Sequence, residues 1–205
     1  MLSKFLSPVT PIVLTVLFLV SGWAGGAGNV FDYGVDQRFA EIRRTHPGLE
    51  QVAAHLTFFG SAYVTFGIAI VGAIWLLARD RKTHAALLIF GFTAERLAMD
   101  ALKIVYARTR PSFDLHPVPV SSFSFPSGHA SNSMAAFVLF ALLAMPEKWR
   151  TPSVIVAVML AATVALSRPF LGVHWPTDIM GGWCLAGVSI WVVMVLERRF
   201  NREPA

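Results

Sequence analysis

Residues 56–77 read LTFFGSAYVTFGIAIVGAIWLL, and this stretch decides the class of fold. It contains no aspartate, glutamate, lysine, arginine or histidine. A helix needs about 20 predominantly apolar residues to cross the hydrocarbon core of a bilayer. The stretch therefore predicts a membrane-spanning helix in the first half of the chain.

The composition of the whole chain indicates a polytopic membrane protein. Of the 205 residues, 55% are hydrophobic and 14% are charged, whereas roughly 25% of the residues in a soluble domain are charged. A chain with this much hydrophobic sequence is not intrinsically disordered. Because it has a single cysteine, it is not a small protein held together by disulfide bonds. We interpret the net charge of +5 as a contribution to lipid contacts and membrane topology, and we expect no nucleic-acid partner.

Five further windows are apolar enough to be candidate spans. Together with the first they give six predicted helices, at residues 9–27, 56–77, 84–105, 128–145, 151–167 and 179–196. We predict an all-α bundle of six transmembrane helices that forms a single domain over residues 1–205. The first window also resembles a secretory signal peptide, because Lys4 precedes it and small residues follow it. The topology downstream is the same in either case.

Lysine and arginine residues predict the orientation, since they are enriched in cytoplasmic loops. One side of the predicted bundle collects Lys4, Arg79, Arg81, Lys82, Lys148, Arg150, Arg198, Arg199 and Arg202. The excess of lysine and arginine on this side is small. It becomes larger if the cations on the other side that are held in a binding site are left out of the comparison. We therefore expect both termini in the cytoplasm and the loops 28–52, 106–127 and 168–177 on the outer face. The loop 28–52 fits an interfacial helix and a solvated loop equally well.

Three polar clusters fall on this outer side. They are residues 103–111 (KIVYARTRP) at the end of the third predicted helix, residues 126–129 (PSGH) at the start of the fourth, and residues 167–178 (SRPFLGVHWPTD) between the fifth and the sixth. Because successive helices cross the membrane in opposite directions, these three ends meet at one face. We expect the clusters to form a single site.

The first property of this predicted site is a set of anion-binding groups. Lys103, Arg110 and Arg168 supply three cations, and arginine in particular matches the oxygens of a phosphate. Ser127 is placed to cap the following helix, whose free N–H groups attract an anion. Gly128 lets a ligand approach the backbone closely. The pattern predicts a pocket for a phosphate-like anion.

The second property is a pair of histidines. His174 and Asp178 are four residues apart, so that the carboxylate can orient the imidazole as a base or nucleophile if a helix begins by Pro176. His129 has no carboxylate neighbour in the sequence and is the better proton donor to a leaving group. An anion pocket with these two histidines predicts phosphoryl transfer through a phosphohistidine. A metal site is a weaker interpretation, because the three cations would repel a divalent ion.

The three clusters are similar, in residue type and spacing, to the three-part signature of the type 2 phosphatidic acid phosphatases. This superfamily includes integral-membrane lipid phosphatases, soluble bacterial acid phosphatases and vanadium haloperoxidases. The resemblance covers residues 103–178 by motif, and the six-helix layout extends it to the whole chain. It implies an enzyme that requires no metal and no other cofactor.

The resemblance also implies a role for each residue of the signature. His174 would attack phosphorus, Asp178 would orient it, and His129 would protonate the leaving group. The groups that hold the phosphoryl oxygens would be Lys103, Arg110, Ser127, Gly128, Arg168 and Ser167.

A compact six-helix chain of this kind resembles the bacterial phosphatidylglycerol-phosphate and undecaprenyl pyrophosphate phosphatases, whose active sites face away from the cytoplasm. The resemblance thus implies a bacterial inner-membrane enzyme. Its partners would be a lipid phosphate substrate and membrane lipids, with no obligate protein partner.

Charged residues outside the signature have more modest expected roles. Asp100 is expected to neutralise Arg96 and to steady Lys103 on one helix face. Glu95 points elsewhere and is placed to line the lipid path. Arg108 is either a headgroup contact or, as the favoured interpretation, part of a solvated loop.

Other functions remain compatible with parts of this pattern. A phosphotransferase would pass the phosphoryl group from the same histidine to another lipid. Vanadate chemistry like that of the haloperoxidases fits six spans poorly. An anion transporter would place polar residues at the midplane of several helices, whereas only the third predicted helix carries such charges. The motifs leave the lipid tail, the number of phosphates and the oligomeric state open.

Overall fold

The computed structural model describes residues 5–112 and 116–200. Lys4 and Arg202, which contribute to the predicted orientation, lie outside these ranges. Within them the chain forms helices and no strand. The helices are α1 (Val9–Ala24), α2 (Val30–Thr45), α3 (Pro47–Phe58), α4 (Ala62–Leu77), α5 (Lys82–Tyr106), α6 (Gly128–Ala144), α7 (Glu147–Phe170) and α8 (Pro176–Phe200).

Each of the six predicted windows contains a helix. Three stretches are long and apolar enough to cross a membrane, namely Pro47–Leu77, α7 and α8. The helices α1 and α6 are shorter and also apolar, and α5 spans 25 residues despite its embedded charges. The prediction of an all-α membrane bundle is confirmed, and the helices of the described residues are compatible with six spans.

The helix α6 lies at the centre of the bundle, where it packs against α4, α5, α7 and α8. Twelve of its 17 residues are buried. A β-carbon at Gly182 would lie 2.8 Å from the main-chain oxygen of Ser127, so only glycine lets α8 approach the start of α6 so closely. The Ser127 N–H group donates to the carbonyl oxygen of Asp178 at 3.0 Å. This contact brings two of the three polar clusters together.

The structure differs from the prediction at residues 56–77, which form two helices instead of one. The helix α3 ends at Phe58, and Ser61 caps α4 by accepting a hydrogen bond from the N–H group of Val64 at 3.4 Å. A β-carbon at Gly60, in the break, would lie 3.0 Å from Cδ2 of His129. The break therefore brings the main chain next to a predicted catalytic residue.

The loop predicted at residues 28–52 is mostly helical. It contains α2 and the first half of α3. Asn29 begins α2 by accepting a hydrogen bond from the N–H group of Asp32 at 3.0 Å. The segment is therefore helical, as the first of the two interpretations requires, while its position at the membrane interface stays a prediction. Its charged residues fix it to the rest of the protein, since Arg43 donates to the carbonyl oxygen of Phe170.

Candidate active site

The three polar clusters meet in the structure. The end of α5 and the loop after it carry Lys103 and Arg110, the start of α6 carries His129, and the connection between α7 and α8 carries His174. Arg110 joins the first cluster to the third, because its Nη1 atom lies 3.0 Å from Nε2 of His174. The clusters therefore form one site, as the sequence predicts.

His174 is held by Asp178 at the start of α8. The helix begins at Pro176 as expected, and Nδ1 of His174 lies 3.2 Å from Oδ2 of Asp178. A carboxylate accepts, so the Nδ1–H group donates and the tautomer leaves a lone pair on Nε2. That lone pair accepts a hydrogen bond from Arg110. Nε2 is thus the ring nitrogen whose lone pair faces the cations of the site.

His174 is buried in a positively charged setting. Only 2% of its surface is exposed. Burial lowers the pKa of His174 well below its usual value, and the nearby charges of Arg110, Arg168 and Lys103 lower the pKa further. The imidazole is therefore neutral at physiological pH, the form in which it can act as a nucleophile.

The start of α6 has the predicted capping geometry. The Ser127 hydroxyl accepts a hydrogen bond from the N–H group of Ala130 at 3.5 Å. A β-carbon on Gly128 would lie 3.3 Å from the Cε atom of Met99 and 4.0 Å from that of Lys103. The tight contact is the one with Met99, so the glycine lets this side chain of α5 approach the start of α6 closely.

The three signature cations are bonded to neutral oxygen atoms. Lys103 Nζ donates to the carbonyl oxygen of Phe123 at 2.5 Å, and Arg110 Nε donates to that of Ser122 at 2.9 Å. Arg168 Nη1 donates to the Thr57 hydroxyl at 2.9 Å. The buried Nε atom of Arg168 has no hydrogen-bond partner in the described part of the chain. An unsatisfied buried donor of this kind favours an anion beside it.

The remaining predicted residues lie at the margin of the site. Ser167 donates to the carbonyl oxygen of Val164 within its own helix, at 2.6 Å. Arg96 and Asp100 form the expected ion pair at 2.8 Å, while Lys103 has its hydrogen bonds to main-chain carbonyl groups instead. The lipid-facing position expected for Glu95 is wrong, because Glu95 is 2% exposed and accepts a hydrogen bond from Ser131.

Two cavities adjoin the site. One cavity, of about 680 Å³, lies between the end of α5 and the loop that follows it. Its lining includes Lys103, Arg110 and the loop residues 121–123. The other, of about 900 Å³, is an apolar groove between α4, α6 and α7. Its lining includes Phe59 and Val164, both next to the break at Gly60 that contacts His129.

No group of three or more histidine, cysteine, aspartate or glutamate side chains within residues 5–112 and 116–200 is arranged to hold a metal ion. The groups that converge at the site are cations and two histidines, which suit an anionic ligand.

The comparison with known proteins agrees with the arrangement of these residues. Residues 84–202 match the PAP2 superfamily. The chain belongs to this superfamily. The matched range includes all three polar clusters, so the PAP2 match and the geometry refer to the same part of the chain.

The sequence similarity to known proteins extends over most of the chain. It is 31% identical over 200 residues to phosphatidylglycerophosphatase B of Bacillus subtilis, covering 94% of this chain and 97% of the relative. It is 32% identical over 155 residues to an undecaprenyl-diphosphatase of Sulfolobus acidocaldarius, covering 73% and 71% of the two chains. The crystal structure of a transmembrane PAP2 type phosphatidylglycerolphosphate phosphatase from Bacillus subtilis is similar at 30% identity with a TM-score of 0.84, covering 95% of this chain and 98% of that one. The fold is that of a multi-pass membrane protein of the PAP2 type.

Three residues that contact this PAP2 site were not identified as such in the sequence. Ser124 donates to Asp178 and lies 3.3 Å from Nδ1 of His174, and Thr57 bonds to Arg168. Arg108 forms an ion pair with Asp178 at 2.7 Å, and its side chain is only 8% exposed. The interpretation of Arg108 as part of a solvated loop is therefore wrong. The one available signal was its position inside the KIVYARTRP motif.

Proposed function

We propose that this chain is an integral-membrane phosphatase that hydrolyses a lipid phosphate or diphosphate monoester through a phosphohistidine on His174. In this proposal the whole chain, residues 1–205, acts as one catalytic domain. The names of the relatives, a phosphatidylglycerophosphatase and an undecaprenyl-diphosphatase, support the lipid phosphatase class.

The observation that carries the proposal is the environment of His174. Asp178 fixes one ring nitrogen, and the other faces a guanidinium that can move to a phosphoryl oxygen. A neutral imidazole held beside buried cations is the arrangement that nucleophilic attack on a dianionic phosphate requires. The cations attract the phosphate and stabilise the charge that its oxygens carry in the transition state.

In the first step, the Nε2 lone pair of His174 forms a bond to phosphorus while the bond between phosphorus and the leaving oxygen breaks. His129, which is protonated when the negative charge of the bound phosphate stabilises its imidazolium form, donates a proton to that oxygen, which leaves as an alcohol or as a lipid monophosphate. Lys103, Arg110 and Arg168 hold the three remaining phosphoryl oxygens.

In the second step, a water molecule attacks the phosphohistidine. His129, now neutral, takes a proton from this water, and the bond between phosphorus and nitrogen breaks. Inorganic phosphate leaves, and His174 and His129 return to their starting protonation states.

The apolar groove supports a lipid as the leaving group. Attack from His174 expels the leaving group on the opposite side of phosphorus, where His129 acts as the acid. The groove reaches Val164, which lies beside Gly60, the glycine next to the ring of His129. It follows α7 from Val164 to Pro152, a distance of roughly 18 Å at 1.5 Å per residue. A hydrocarbon tail in this groove would keep the scissile oxygen next to His129.

We place the site on the outer face of a bacterial inner membrane, with both termini in the cytoplasm. The cations on the site side of the bundle are bonded internally, as in the contacts of Arg43, Arg108 and Arg168. Cations held in this way contribute less to topology. The larger number of basic residues at the opposite end therefore favours a cytoplasmic location for that end.

Phosphate release from purified protein tests the proposed function. The substrates are phosphatidylglycerol phosphate, undecaprenyl diphosphate, phosphatidic acid and a lipid A phosphate, each in detergent with EDTA. We expect release from at least one lipid that persists in EDTA and is lost in His174→Ala. Equal release by His174→Ala, or full inhibition by EDTA, would contradict the mechanism.

A further inference from the structure

Arg108 lies outside the anion-binding set yet makes a dense set of contacts at the site. Its Nη1 atom donates to Oδ1 of Asp178 at 2.7 Å and to the Thr177 hydroxyl at 3.0 Å. Its Nη2 atom donates to the carbonyl oxygens of Ser21 and Gly22 at 2.7 and 2.6 Å. The guanidinium is therefore already paired with a carboxylate, which distinguishes Arg108 from the three signature cations that are bonded to neutral oxygen atoms.

The two carboxylate oxygens of Asp178 accept hydrogen bonds from different groups. Oδ2 accepts from Nδ1 of His174 at 3.2 Å, from the N–H group of Trp175 at 2.9 Å and from the Ser124 hydroxyl. Oδ1 accepts from Arg108. Because each oxygen has its own donors, the carboxylate cannot rotate without breaking a charged hydrogen bond.

A second contact fixes the same region from the other side. Thr177, in the first turn of α8, donates from its N–H group to Oδ1 of Asp32 at 3.0 Å and from its hydroxyl to Oδ2 at 2.6 Å. Asp32 also accepts from the N–H group of Gly26 at 2.7 Å, and it is fully buried. The connection between α1 and α2 is thus bonded to the turn that carries Asp178.

We propose that Arg108 is a positioning residue for the phosphoryl-transfer step, an inference that rests on the proposed function. It holds Asp178 in the rotation that accepts the Nδ1–H group of His174, and this contact directs Nε2 toward phosphorus. Its Nη2 contacts to Ser21 and Gly22 make α1 the support for this alignment. Lys103, Arg110 and Arg168 bind the phosphate, and Arg108 aligns the nucleophile.

The test compares Arg108→Met and Arg108→Lys with the wild-type protein, using the fastest lipid of the substrate panel. Loss of a hydrogen-bond partner that orients a metal-bound histidine typically lowers activity by about 10- to 100-fold, and Arg108 orients His174 in a similar way through Asp178. We expect Arg108→Met to lower kcat by about that factor with KM unchanged, because the phosphate-binding cations remain. Arg108→Lys keeps one charged contact to Asp178 and is expected to recover part of kcat.

Arg150→Met is the control. Arg150 lies in the first turn of α7, at the end of that helix opposite to Arg168, and is half-buried. Its substitution also removes a guanidinium from the bundle and is expected to leave the kcat of the folded protein unchanged. This control separates loss of alignment from general loss of stability.

Two outcomes would overturn the inference. In the first, the wild-type protein is active and Arg108→Met has the same kcat and KM. In the second, Arg108→Met has the wild-type kcat but a higher KM, which would make Arg108 a substrate-binding group. If Arg108→Met does not fold, Arg108→Lys decides by itself, and wild-type kcat in that variant overturns the inference. A wild-type protein that releases no phosphate, or a His174→Ala variant that stays active, would instead contradict the proposed function.

Discussion

Two of the three phosphate-binding cations proposed for the site are bonded to main-chain carbonyl groups that a phosphate can replace. Lys103 and Arg110 donate to carbonyl oxygens of residues 122 and 123. A neutral carbonyl is a weaker acceptor than a phosphate oxygen, because charge-assisted hydrogen bonds are roughly twice as strong. Binding of a lipid phosphate therefore exchanges weaker contacts for stronger ones at little cost in desolvation.

This view of Lys103 leads to a prediction for Asp100. Asp100 pairs with Arg96 near the surface and has 49% of its side chain exposed, so the pair is worth less than about 1 kcal/mol. We expect Asp100→Ala to lower kcat/KM by less than about fivefold, since the carbonyl groups of residues 123 and 124 keep Lys103 in place. Steady-state kinetics would measure this, and a loss of more than tenfold would show that Asp100 positions Lys103 directly.

Thr57 is expected to matter more than Asp100, because it is buried and accepts from Arg168. Thr57→Val keeps the shape of the side chain and leaves the Nη1 donor without its acceptor. We predict a fall in kcat/KM of about tenfold, the scale of one charged hydrogen bond. Thr65→Val is the control, since the Thr65 hydroxyl bonds only to its own helix at Ser61 and Ala62 among the described contacts. Equal kinetics in the two variants would contradict the role of Thr57.

At this scale the sequence predicts contacts that are local and misses those that are not. The contact of His174 with Asp178 follows from their spacing on a helix start. Thr57 and Arg168 are 111 positions apart, and Arg108 and Asp178 are 70 apart. Their contacts depend on how helices pack, and spacing along one chain contains no information on that packing.

Among the elements, the break between α3 and α4 has the largest functional consequence. Hydropathy alone predicts one continuous span at residues 56–77, because the apolar run does not stop. Gly60 and Ser61 interrupt the helix locally, and the tight contacts of Gly60 with Val164 and His129 explain why it is glycine. The signal was present in the sequence but is weak beside the apolar pattern.

If the groove that begins at this break binds the lipid tail, a substitution that fills it should affect long-chain substrates and leave short-chain substrates unaffected. Gly67 lines the groove, and a β-carbon there would meet no atom within 4 Å. We expect Gly67→Phe to fill the groove and to lower kcat/KM for a long-chain lipid phosphate by about tenfold, the equivalent of two lost methylene contacts at about 0.8 kcal/mol each. A soluble short-chain phosphate should be hydrolysed at the wild-type rate.

Gly34→Phe controls for the loss of a helical glycine, because Gly34 lies in α2 and also has open space at its β-carbon. It should leave both substrates unaffected. Parallel losses for the long and short substrates in Gly67→Phe would contradict a tail-binding role for the groove.

For the whole molecule, the proposed orientation in the membrane can be tested at the two ends of the bundle. Ser121, beside the outer cavity, and Thr83, at the start of α5, mark the two ends of the bundle. In a Cys184→Ser background, we predict that Ser121→Cys reacts with a membrane-impermeant maleimide in intact cells. Thr83→Cys should react only after the membrane is opened. The reverse pattern would place the site in the cytoplasm.

The order of helices and their end at a common polar face could be predicted from hydropathy and motif positions. The depth at which the site is buried could not be predicted from the sequence. The helices α1 and α2 contribute to this burial through the carbonyl groups of residues 21 and 22 and through Asp32. These residues carry no motif of their own. Only the packing of the whole chain brings them to Asp178 and Arg108.

The central claim is that the phosphoryl group passes through His174. The most direct measurement is rapid mixing of the protein with labelled lipid phosphate, an alkaline quench that preserves phosphohistidine, and mass spectrometry of the peptide containing residue 174. We predict a phosphorylated peptide at His174 that forms before phosphate is released and is absent in His174→Ala. Phosphate release with no modification at His174, or with the label on another residue, would contradict the account.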